Sequence, residues 1–194
     1  MDTTDTDILD HSDMTRLAGG DDLALNRLMD RHAASVLRFL NQMVRNPDDA
    51  QELAQETFAR VYRARTKFRH DARFTPWLFT IAANLARNHL RWKSRHPALS
   101  LELESGAPGQ TIGDTLPALG NNPQQAAASA EKISAVQQAI ATLPTRMREA
   151  ILLCTWEDLP VTDAARALST TPKAIESLLY RARHLLRERL QQWL

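Results

Sequence analysis

The stretch from residue 76 to residue 96, PWLFTIAANLARNHLRWKSRH, restricts the fold most, because its apolar residues recur with a helical period. At about 100° per residue, one broad arc of the helical wheel is apolar. That arc holds Leu78, Phe79, Ile81, Ala82, Leu85, Ala86, Leu90 and Trp92. The opposite arc holds Thr80, Asn84, Arg87, Asn88, Arg91 and Arg95, with Trp77 at its edge. The pattern predicts a helix that packs inward on one side and is cationic and amide-rich on the other.

The outer arc has the chemistry that binds nucleic acids, and the stretch contains no carboxylate. Arginine guanidinium groups bind phosphate oxygens, carboxamides hydrogen-bond base edges, and aromatic rings stack on unpaired bases. This arc is therefore a candidate DNA or RNA surface. A solvated basic face on an ordinary core helix is the alternative, which the segment alone leaves open.

The segment just before this stretch, residues 66–74, contains Phe68 and Phe74 together with Lys67, Arg69 and Arg73. Aromatic and cationic side chains in one loop are typical of proteins that hold single-stranded bases. The alternative is that both phenylalanines pack in the core while the cations decorate a turn. The two interpretations are compatible with each other.

Composition argues against several classes of function. The single cysteine, Cys154, excludes an internal disulfide, and we interpret it as a buried apolar residue. No histidine pair has metal-ligand spacing, and neither a glycine-rich phosphate loop nor a nucleophile motif occurs. We therefore expect no metal, no cofactor and no catalytic residues. The acidic N-terminal sequence lacks the order of a secretory signal, and no apolar run approaches a membrane span, so we expect a cytoplasmic protein without membrane insertion.

The first half of the chain predicts further helices before the cationic one. Residues 1–10 are acidic and predicted to be disordered, and Ser12 or Asp13 is predicted to cap a short helix that ends at residues 19–20, Gly-Gly. A second helix is predicted to begin at residues 21–22 and to stop at residues 46–47. A third is predicted to be capped by Asp48.

The third helix has an acidic, amide-rich outer face. Ala50, Leu53, Ala54, Thr57, Phe58 and Val61 form its inward stripe, and Gln51, Glu52, Gln55 and Glu56 point outward. Because carboxylates repel phosphates, the outer face resembles a protein-docking surface more than a DNA surface. A solvated face without a partner remains the alternative.

Residues 97–123 differ abruptly from their neighbours, being rich in glycine and proline and lacking lysine and arginine. A segment of this length is unusual inside one compact domain. We therefore predict an all-α fold of two small domains joined by a flexible linker: a helical bundle over 11–96 and a helix-turn-helix domain over 124–194.

The second half predicts a helix that Pro144 stops, another from Thr145, a short helix over 161–168, a polar turn over 169–172, and a long helix over 173–190. Short helix, tight turn and long helix make a helix-turn-helix motif, whose second helix reads the major groove with its N-terminal residues. The candidates for contact with bases or backbone are Thr171, Lys173, Glu176, Ser177, Tyr180, Arg181, Arg183 and Arg187. An amphipathic hairpin with a solvated arginine face is the alternative.

Taken together, these segments resemble the extracytoplasmic-function (ECF) sigma factors of bacterial RNA polymerase, members of the sigma-70 superfamily. The resemblance covers nearly everything except the acidic N-terminus and residues 97–123. Its blocks, in the family's order, are DDAQELAQETFARVY from Asp48, FRHDARFTPWLFTIAANLARNHLR from Phe68, and LPTRMREAILLCTWEDLPVTDAARALSTTPKAIESLLYRARHLLRERL from Leu143.

The resemblance implies a non-enzymatic factor that binds core polymerase, directs it to promoters and helps to melt the DNA. It assigns Glu52, Gln55 and Glu56 to the coiled coil of the largest polymerase subunit, and the C-terminal domain to the flap of the second-largest subunit. It assigns the minus-ten promoter element to Phe68, Arg69, Arg73, Phe74, Trp77, Asn84, Arg87, Asn88, Arg91 and Arg95, and the minus-thirty-five element to the helix-turn-helix. It also implies an anti-sigma partner.

Two points limit the resemblance. The family commonly has a glycine where Ser169 stands in the turn of the helix-turn-helix, and many relatives have lysine where Glu176 stands. The packing of the motif and the DNA sequence that it reads are therefore expected to differ from those of typical family members. A stand-alone helix-turn-helix regulator, which would bind duplex DNA without polymerase, remains the alternative function.

Overall fold

The computed structural model of the chain describes residues 3–69, 71–96 and 123–191, with residues 3–4 and 123–130 described by backbone alone. These ranges are helical and contain no strand, as the sequence predicts. The predicted linker lies outside the described residues, apart from Pro123, which begins a helix. His70 lies outside them as well.

The N-terminal group consists of four helices, which we number in chain order. They are α1 (Thr3–Ala18), α2 (Leu23–Val44), α3 (Pro47–Arg63) and α4 (Phe74–Arg95), with a 3₁₀ turn at Arg65–Lys67 before α4. Helix α2 packs against α1, α3 and α4. The buried side chains between them include Leu28, Phe39, Leu40, Met43, Phe58, Phe74, Leu78 and Phe79. Burying each such side chain stabilises the fold by about 1.5–3 kcal/mol.

Helix α1 corrects the prediction that residues 1–10 are disordered and that Ser12 or Asp13 begins the first helix. The helix begins at Thr3, and its carboxylates pair with α2: Asp10 accepts from Arg31 at 2.8 Å, and Asp13 accepts from Arg27 at 2.7 Å. Acidic composition misled the prediction because each of these carboxylates has a cation from another helix. The predicted end at residues 19–20 is confirmed, and Gly20 has a positive φ of 98°.

The cap of α3 also differs from the prediction. Asn46, and not Asp48, is the N-cap residue, because its side chain accepts a hydrogen bond from the Asp49 backbone N–H at 2.9 Å. Pro47 then occupies the first helical position, where its missing N–H has no consequence. The predicted inward stripe of α3 is confirmed, with Leu53 partly buried and the other members buried.

The C-terminal group consists of α5 (Pro123–Ala141), α6 (Thr145–Ile151) continued by a π-helical turn (Leu152–Trp156), α7 (Val161–Ala167) and α8 (Pro172–Arg189). The predicted helix-turn-helix is confirmed as α7, turn and α8. The Thr171 hydroxyl caps α8 by accepting from the Ala174 N–H at 3.2 Å. Ser169 takes a left-handed conformation with a φ of 52°, which explains why a glycine would suit this position.

The two groups contact each other. Helix α7 packs against α4, and α2 contacts α5 and α6. Arg148 donates to the backbone carbonyl of Met43 at 2.9 Å, and Arg38 donates to Glu157 at 3.2 Å. The described residues therefore form one packed arrangement around α2 and α4.

Two residues expected on inner faces are exposed. Trp92 of α4 is 45% exposed and stacks on His96 with ring centroids 5.0 Å apart, and Ile133 of α5 is 38% exposed. In the described part of the chain, no helix has the length and apolar character that crossing a membrane requires.

Candidate nucleic-acid and protein-docking surfaces

The outer face of α4 is the first candidate surface, and the structure confirms which side of the helix it occupies. Asn84, Asn88, Arg91 and Arg95 are exposed, opposite the buried Leu78, Ala82 and Leu85. Asn84 accepts from Arg87 Nη2 at 2.6 Å, which fixes both side chains on this face. The exposed members present amide and guanidinium groups on one side of a rigid helix.

The aromatic residues next to this face form part of the core. Phe68 is 8% exposed and Phe74 is 2% exposed, with their ring centroids 6.1 Å apart. Trp77 is partly buried and lies 5.1 Å from Phe68. The core alternative therefore holds for Phe68 and Phe74, and neither ring is available to stack on a base in this arrangement. Their burial follows from α1 and α2, whose His11 and His32 rings also contact the cluster.

The two arginines before α4 have different surroundings. Arg69 is exposed and donates to Asp71 at 2.7 Å from Nη2, so the pair lies in solvent, and this cation lowers the pKa of the Asp71 carboxyl. Arg73 is partly buried, donates to Asp7 of α1 at 2.8 Å from Nε, and pairs through Nη1 with Asp163 of α7. Arg73 thus joins α1 and α7 to the start of α4.

Arg87 lies under the C-terminal group. Its Nε is 3.0 Å from Glu149 Oε1 of α6, but the Nε–H donates to the Ala83 carbonyl at 3.2 Å. Glu149 is fully buried, and its Oε1 accepts no well-oriented hydrogen bond. Burial raises the pKa of Glu149, although Arg87 and Arg146 oppose this shift, and burial lowers the pKa of Arg87. The pair is an ionic contact with a large desolvation cost.

The three carboxylates that meet these arginines, Asp7, Glu149 and Asp163, were not predicted from the sequence. A usable signal existed for two of them. Glu149 and Asp163 occupy positions whose neighbours Ala150, Ile151, Ala164 and Ala165 are all buried. A carboxylate on an apolar face predicts a cationic partner from elsewhere in the fold. It does not say which cation.

The outer face of α3 is the second candidate surface. Gln51, Glu52 and Gln55 are exposed, as predicted. Glu56 is partly buried and accepts from Arg60 Nε and from Arg63 Nη2, both at 2.8 Å. These two arginines lower the pKa of the Glu56 carboxyl, which therefore stays ionised. The face combines one fixed carboxylate with one exposed carboxylate and two exposed amides.

The outer face of α8 is the third candidate surface. Its predicted contact residues, Thr171, Lys173, Glu176, Ser177, Tyr180, Arg181, Arg183 and Arg187, are all exposed. Tyr180 is 74% exposed. Ile175, Leu179 and Ala182 on the other side are buried against α6 and α7. The helix thus presents a polar and cationic side to solvent.

Comparison with known proteins places both halves of the chain in the same kind of protein. Family models for sigma-70 region 2 and sigma-70 region 4 match residues 28–96 and 133–186. The chain is 31% identical over 176 residues to the RNA polymerase sigma-H factor of Pseudomonas aeruginosa, and the match covers 91% of each chain. It is 29% identical to the ECF RNA polymerase sigma-E factor of Haemophilus influenzae, with 95% of this chain and 96% of that one covered.

Among solved structures, the fold is similar to that of the sigma factor RpoE from Bartonella quintana, determined in complex with the anti-sigma factor NepR. The TM-score is 0.61 at 22% sequence identity, and the match covers 86% of this chain and 96% of that one. The region 2 match contains the outer faces of α3 and α4, and the region 4 match contains the exposed face of α8 down to Leu186.

Proposed function

The chain belongs to the ECF sigma factors of the sigma-70 family, and from that premise we propose which of its surfaces bind polymerase and which bind promoter DNA. As a member of this family it is a transcription initiation factor and not an enzyme. The family match in both halves also decides against a stand-alone helix-turn-helix regulator, because region 2 would then have no role. The observation that carries the assignment is the separation of one carboxylate-bearing face from two cationic ones.

The outer face of α3 binds core polymerase, through Glu52, Gln55 and Glu56. Exposure of Glu52 and Gln55 supports this role, and so does the fixed position of Glu56 beside Arg60 and Arg63. Charge supports it too, because a face with ionised carboxylates repels DNA and suits a cationic protein surface. The contact expected for this family is the coiled coil of the largest subunit, with the flap of the second-largest subunit taking the C-terminal group.

The outer face of α4 binds the minus-ten element. Its exposed donors and acceptors are Asn84, Asn88, Arg91 and Arg95, with Arg69 nearby. Arg73 and Arg87 extend the same cationic side, but each is paired with a carboxylate of the C-terminal group. Phe68, Phe74 and Trp77 support the start of α4 from inside, and we assign to the two phenylalanines a structural contribution and not base stacking.

The exposed face of α8 binds the minus-thirty-five element. A recognition helix contacts bases with its N-terminal turns, which here carry Lys173, Glu176, Ser177 and Tyr180. Glu176 can accept from a cytosine amino group. Arg181, Arg183 and Arg187 follow along the helix and suit backbone phosphates, with the Thr171 cap fixing where the helix begins.

Promoter opening then needs no chemistry from this chain. Contacts of arginines with phosphates and capture of bases offset the unpairing of a few base pairs, at about a few kcal/mol for each unstacked step. The protein acts where RNA polymerase acts, in the cytoplasm. An anti-sigma factor is a further expected partner, since the similar Bartonella quintana sigma factor was solved with one.

Run-off transcription tests the assignment of α3. The double change of Glu52→Lys and Gln55→Lys should abolish both co-purification with core polymerase and transcription from any promoter that the unchanged chain supports. The control, Glu131→Lys with Glu188→Gln, alters exposed residues of the C-terminal group and should leave polymerase binding within about twofold. Normal polymerase binding by the α3 variant would refute the docking assignment.

A further inference from the structure

Two rows of side chains, each with a spacing of four residues, run along the outer side of α4. One row consists of Asn84, Asn88, Trp92 and His96, and the neighbouring row consists of Arg87, Arg91 and Arg95. Residues four apart are neighbours on a helix surface, and four residues span about 6 Å along the helix axis. The first row therefore has two amide groups followed by two aromatic rings, and a row of guanidinium groups lies beside it.

The aromatic end of the first row is held in one geometry. The rings of Trp92 and His96 stack with their centroids 5.0 Å apart and their planes at 26°. The Trp92 carbonyl accepts from His96 Nδ1 at 3.0 Å and from the His96 backbone N–H at 3.1 Å. These two hydrogen bonds fix both the ring and the backbone of His96 at the end of α4. A stack that is formed in advance loses little conformational entropy when a third ring joins it.

This aromatic pair is open to solvent, in contrast to the phenylalanines before α4. Trp92 is 45% exposed and His96 is exposed, whereas Phe68 and Phe74 are buried in the core. The pair also lies away from the C-terminal group, because Arg87, which meets Glu149, precedes Trp92 by more than one helical turn. An aromatic ligand can therefore reach this end of α4 in the arrangement that the structure shows.

The charges around the pair favour a nucleic acid as the partner. Arg91 and Arg95 are exposed and form no ion pair with the residues that the structure describes. The carboxylate of α3 that reaches this end of α4, Asp49, already pairs with Lys93 at 3.8 Å. Guanidinium groups suit phosphates, and the face of a tryptophan stacks on any base. The surface therefore matches an unpaired base that has a phosphate on each side.

We propose that Trp92 and His96 form a stacking platform for one unpaired base of single-stranded DNA. Arg91 and Arg95 bind the phosphates on either side of that base, and Asn88, one turn before Trp92, hydrogen-bonds its edge. The platform is formed in the chain alone and does not need polymerase. This inference rests on the proposed function of the α4 face. It adds the base stacking that the buried phenylalanines do not supply, and it places that contact at the C-terminal end of α4.

Fluorescence anisotropy of the full chain with two labelled oligomers tests the platform. Fluorescein-labelled oligothymidylate and an abasic oligomer of equal length carry the same phosphates, but only the first carries bases. At about 50 mM salt, Trp92→Ala should weaken binding of oligothymidylate about tenfold and binding of the abasic oligomer no more than about twofold. His96→Ala should weaken binding of oligothymidylate about threefold, because Trp92 loses its support. The control, Leu23→Ala, removes an apolar side chain of α2 that is 66% exposed and should change neither affinity.

Tryptophan fluorescence separates base stacking from a structural role of Trp92. Oligothymidylate should quench the fluorescence of the unchanged chain, and the abasic oligomer should not. Trp92→Phe keeps an aromatic ring, so it should bind oligothymidylate within about threefold of the unchanged chain and should lose the quenching. Circular dichroism reports whether each variant folds, and Trp92→Phe keeps the proposal testable if Trp92→Ala does not fold.

Three results would overturn the platform: no measurable binding of oligothymidylate by the unchanged chain, equal losses on both oligomers in Trp92→Ala, or quenching that persists in Trp92→Phe. Loss of polymerase binding in Trp92→Ala, with oligothymidylate binding unchanged, would also overturn it and would identify this end of α4 as a protein contact. Run-off transcription separates the platform from the proposed function. A chain that starts transcription at discrete sites but gives any of these results keeps the sigma function and lacks the platform. A chain that supports no transcription would refute the function itself.

Discussion

The outer faces of α4 and α8 are alike in sequence and different in their surroundings. Each is the arginine-rich side of an amphipathic helix, and each is assigned to one promoter element. The face of α8 is exposed along its length, whereas Arg73 and Arg87 at the α4 face are partly buried against carboxylates from the other half of the chain. A cationic arc on a helical wheel therefore identifies a surface without showing whether that surface is available.

The difference arises from long-range pairing. The carboxylates that meet Arg73 lie 66 and 90 positions away in sequence, in α1 and α7. On α8, the corresponding contacts are local: Arg181 donates to the Ser177 carbonyl at 3.3 Å within its own helix. Four sets of measurements on altered chains test whether the two faces differ in this way.

Replacing Arg87 should have the largest effect. Arg87→Ala leaves Glu149 buried without its nearest cation, so the free energy of unfolding should fall by about 3 kcal/mol. Arg181→Ala, on the exposed α8 face, should change it by no more than about 0.5 kcal/mol. Urea unfolding followed by circular dichroism measures both. Equal losses in the two variants would mean that the α4 and α8 faces do not differ in their surroundings.

Promoter binding by the holoenzyme should depend equally on the open parts of the two faces. Arg91→Ala and Arg181→Ala should each weaken binding about fivefold and reduce the slope of log affinity against log salt by about 0.9 for each phosphate that is no longer bound. Arg16→Ala, an exposed arginine of α1, is the control and should leave the slope unchanged. If only one of the two variants lost salt dependence, the other face would not bind DNA.

The contact between the groups should tighten as the pH falls. Burial raises the pKa values of Glu149 and Glu157 when the two groups of helices are in contact, which we call the closed arrangement. This arrangement therefore binds protons more tightly than an open one, with the groups apart, would. Near neutral pH, the charged carboxylates of these two residues disfavour the closed arrangement. Protonation removes this penalty as the pH falls through their raised pKa values toward the ordinary value of 4.5. Arg87 faces Glu149 from α4, and Arg146 and Arg148 face it from α6; all three limit the shift.

Energy transfer between dyes measures that closure. The dyes are attached at Asp30→Cys in α2 and Glu188→Cys in α8, both exposed positions, in a chain with Cys154→Ser. Transfer should report a closed fraction that rises a few-fold between pH of about 7.5 and about 5.5, because each unit of pKa shift corresponds to about 1.4 kcal/mol. Glu149→Gln with Glu157→Gln should remove the dependence. A closed fraction that fell as the pH fell would contradict the expected direction of this linkage.

The smallest expected effect is at the turn between α7 and α8, which precedes the exposed face of α8. Ser169 has a positive φ, which costs a residue with a side chain about 1 kcal/mol and costs glycine nothing. Ser169→Gly should therefore stabilise the chain by about 0.5 kcal/mol, after the greater flexibility of glycine in the unfolded state is counted. Ser169→Val should destabilise it. Thermal unfolding of the three proteins gives the order, and a less stable glycine variant would show that the turn is unstrained.

Local chemistry was predictable from the sequence. The helical period, the Gly-Gly stop after α1, the helix-turn-helix and the exposed face of α8 follow from residues within one or two turns of each other. The first helix was not predictable, because Asp10 and Asp13 become favourable in a helix only beside Arg31 and Arg27. The burial of Phe68 and Phe74 and the pairing of Arg87 also depend on neighbours that periodicity does not reveal.

Adding core polymerase to the doubly labelled chain tests the difference between the partly covered face of α4 and the exposed face of α8 most directly. Energy transfer between α2 and α8 should be high in the chain alone and should fall when polymerase binds, because α3 and the C-terminal group then occupy separate sites. The Glu52→Lys and Gln55→Lys chain, which should not bind, provides the control and should keep its high transfer. Unchanged transfer in a chain that binds polymerase and starts transcription would show that α7 still covers α4 while promoter DNA is bound, and would contradict the assignment of the minus-ten element to the outer face of α4.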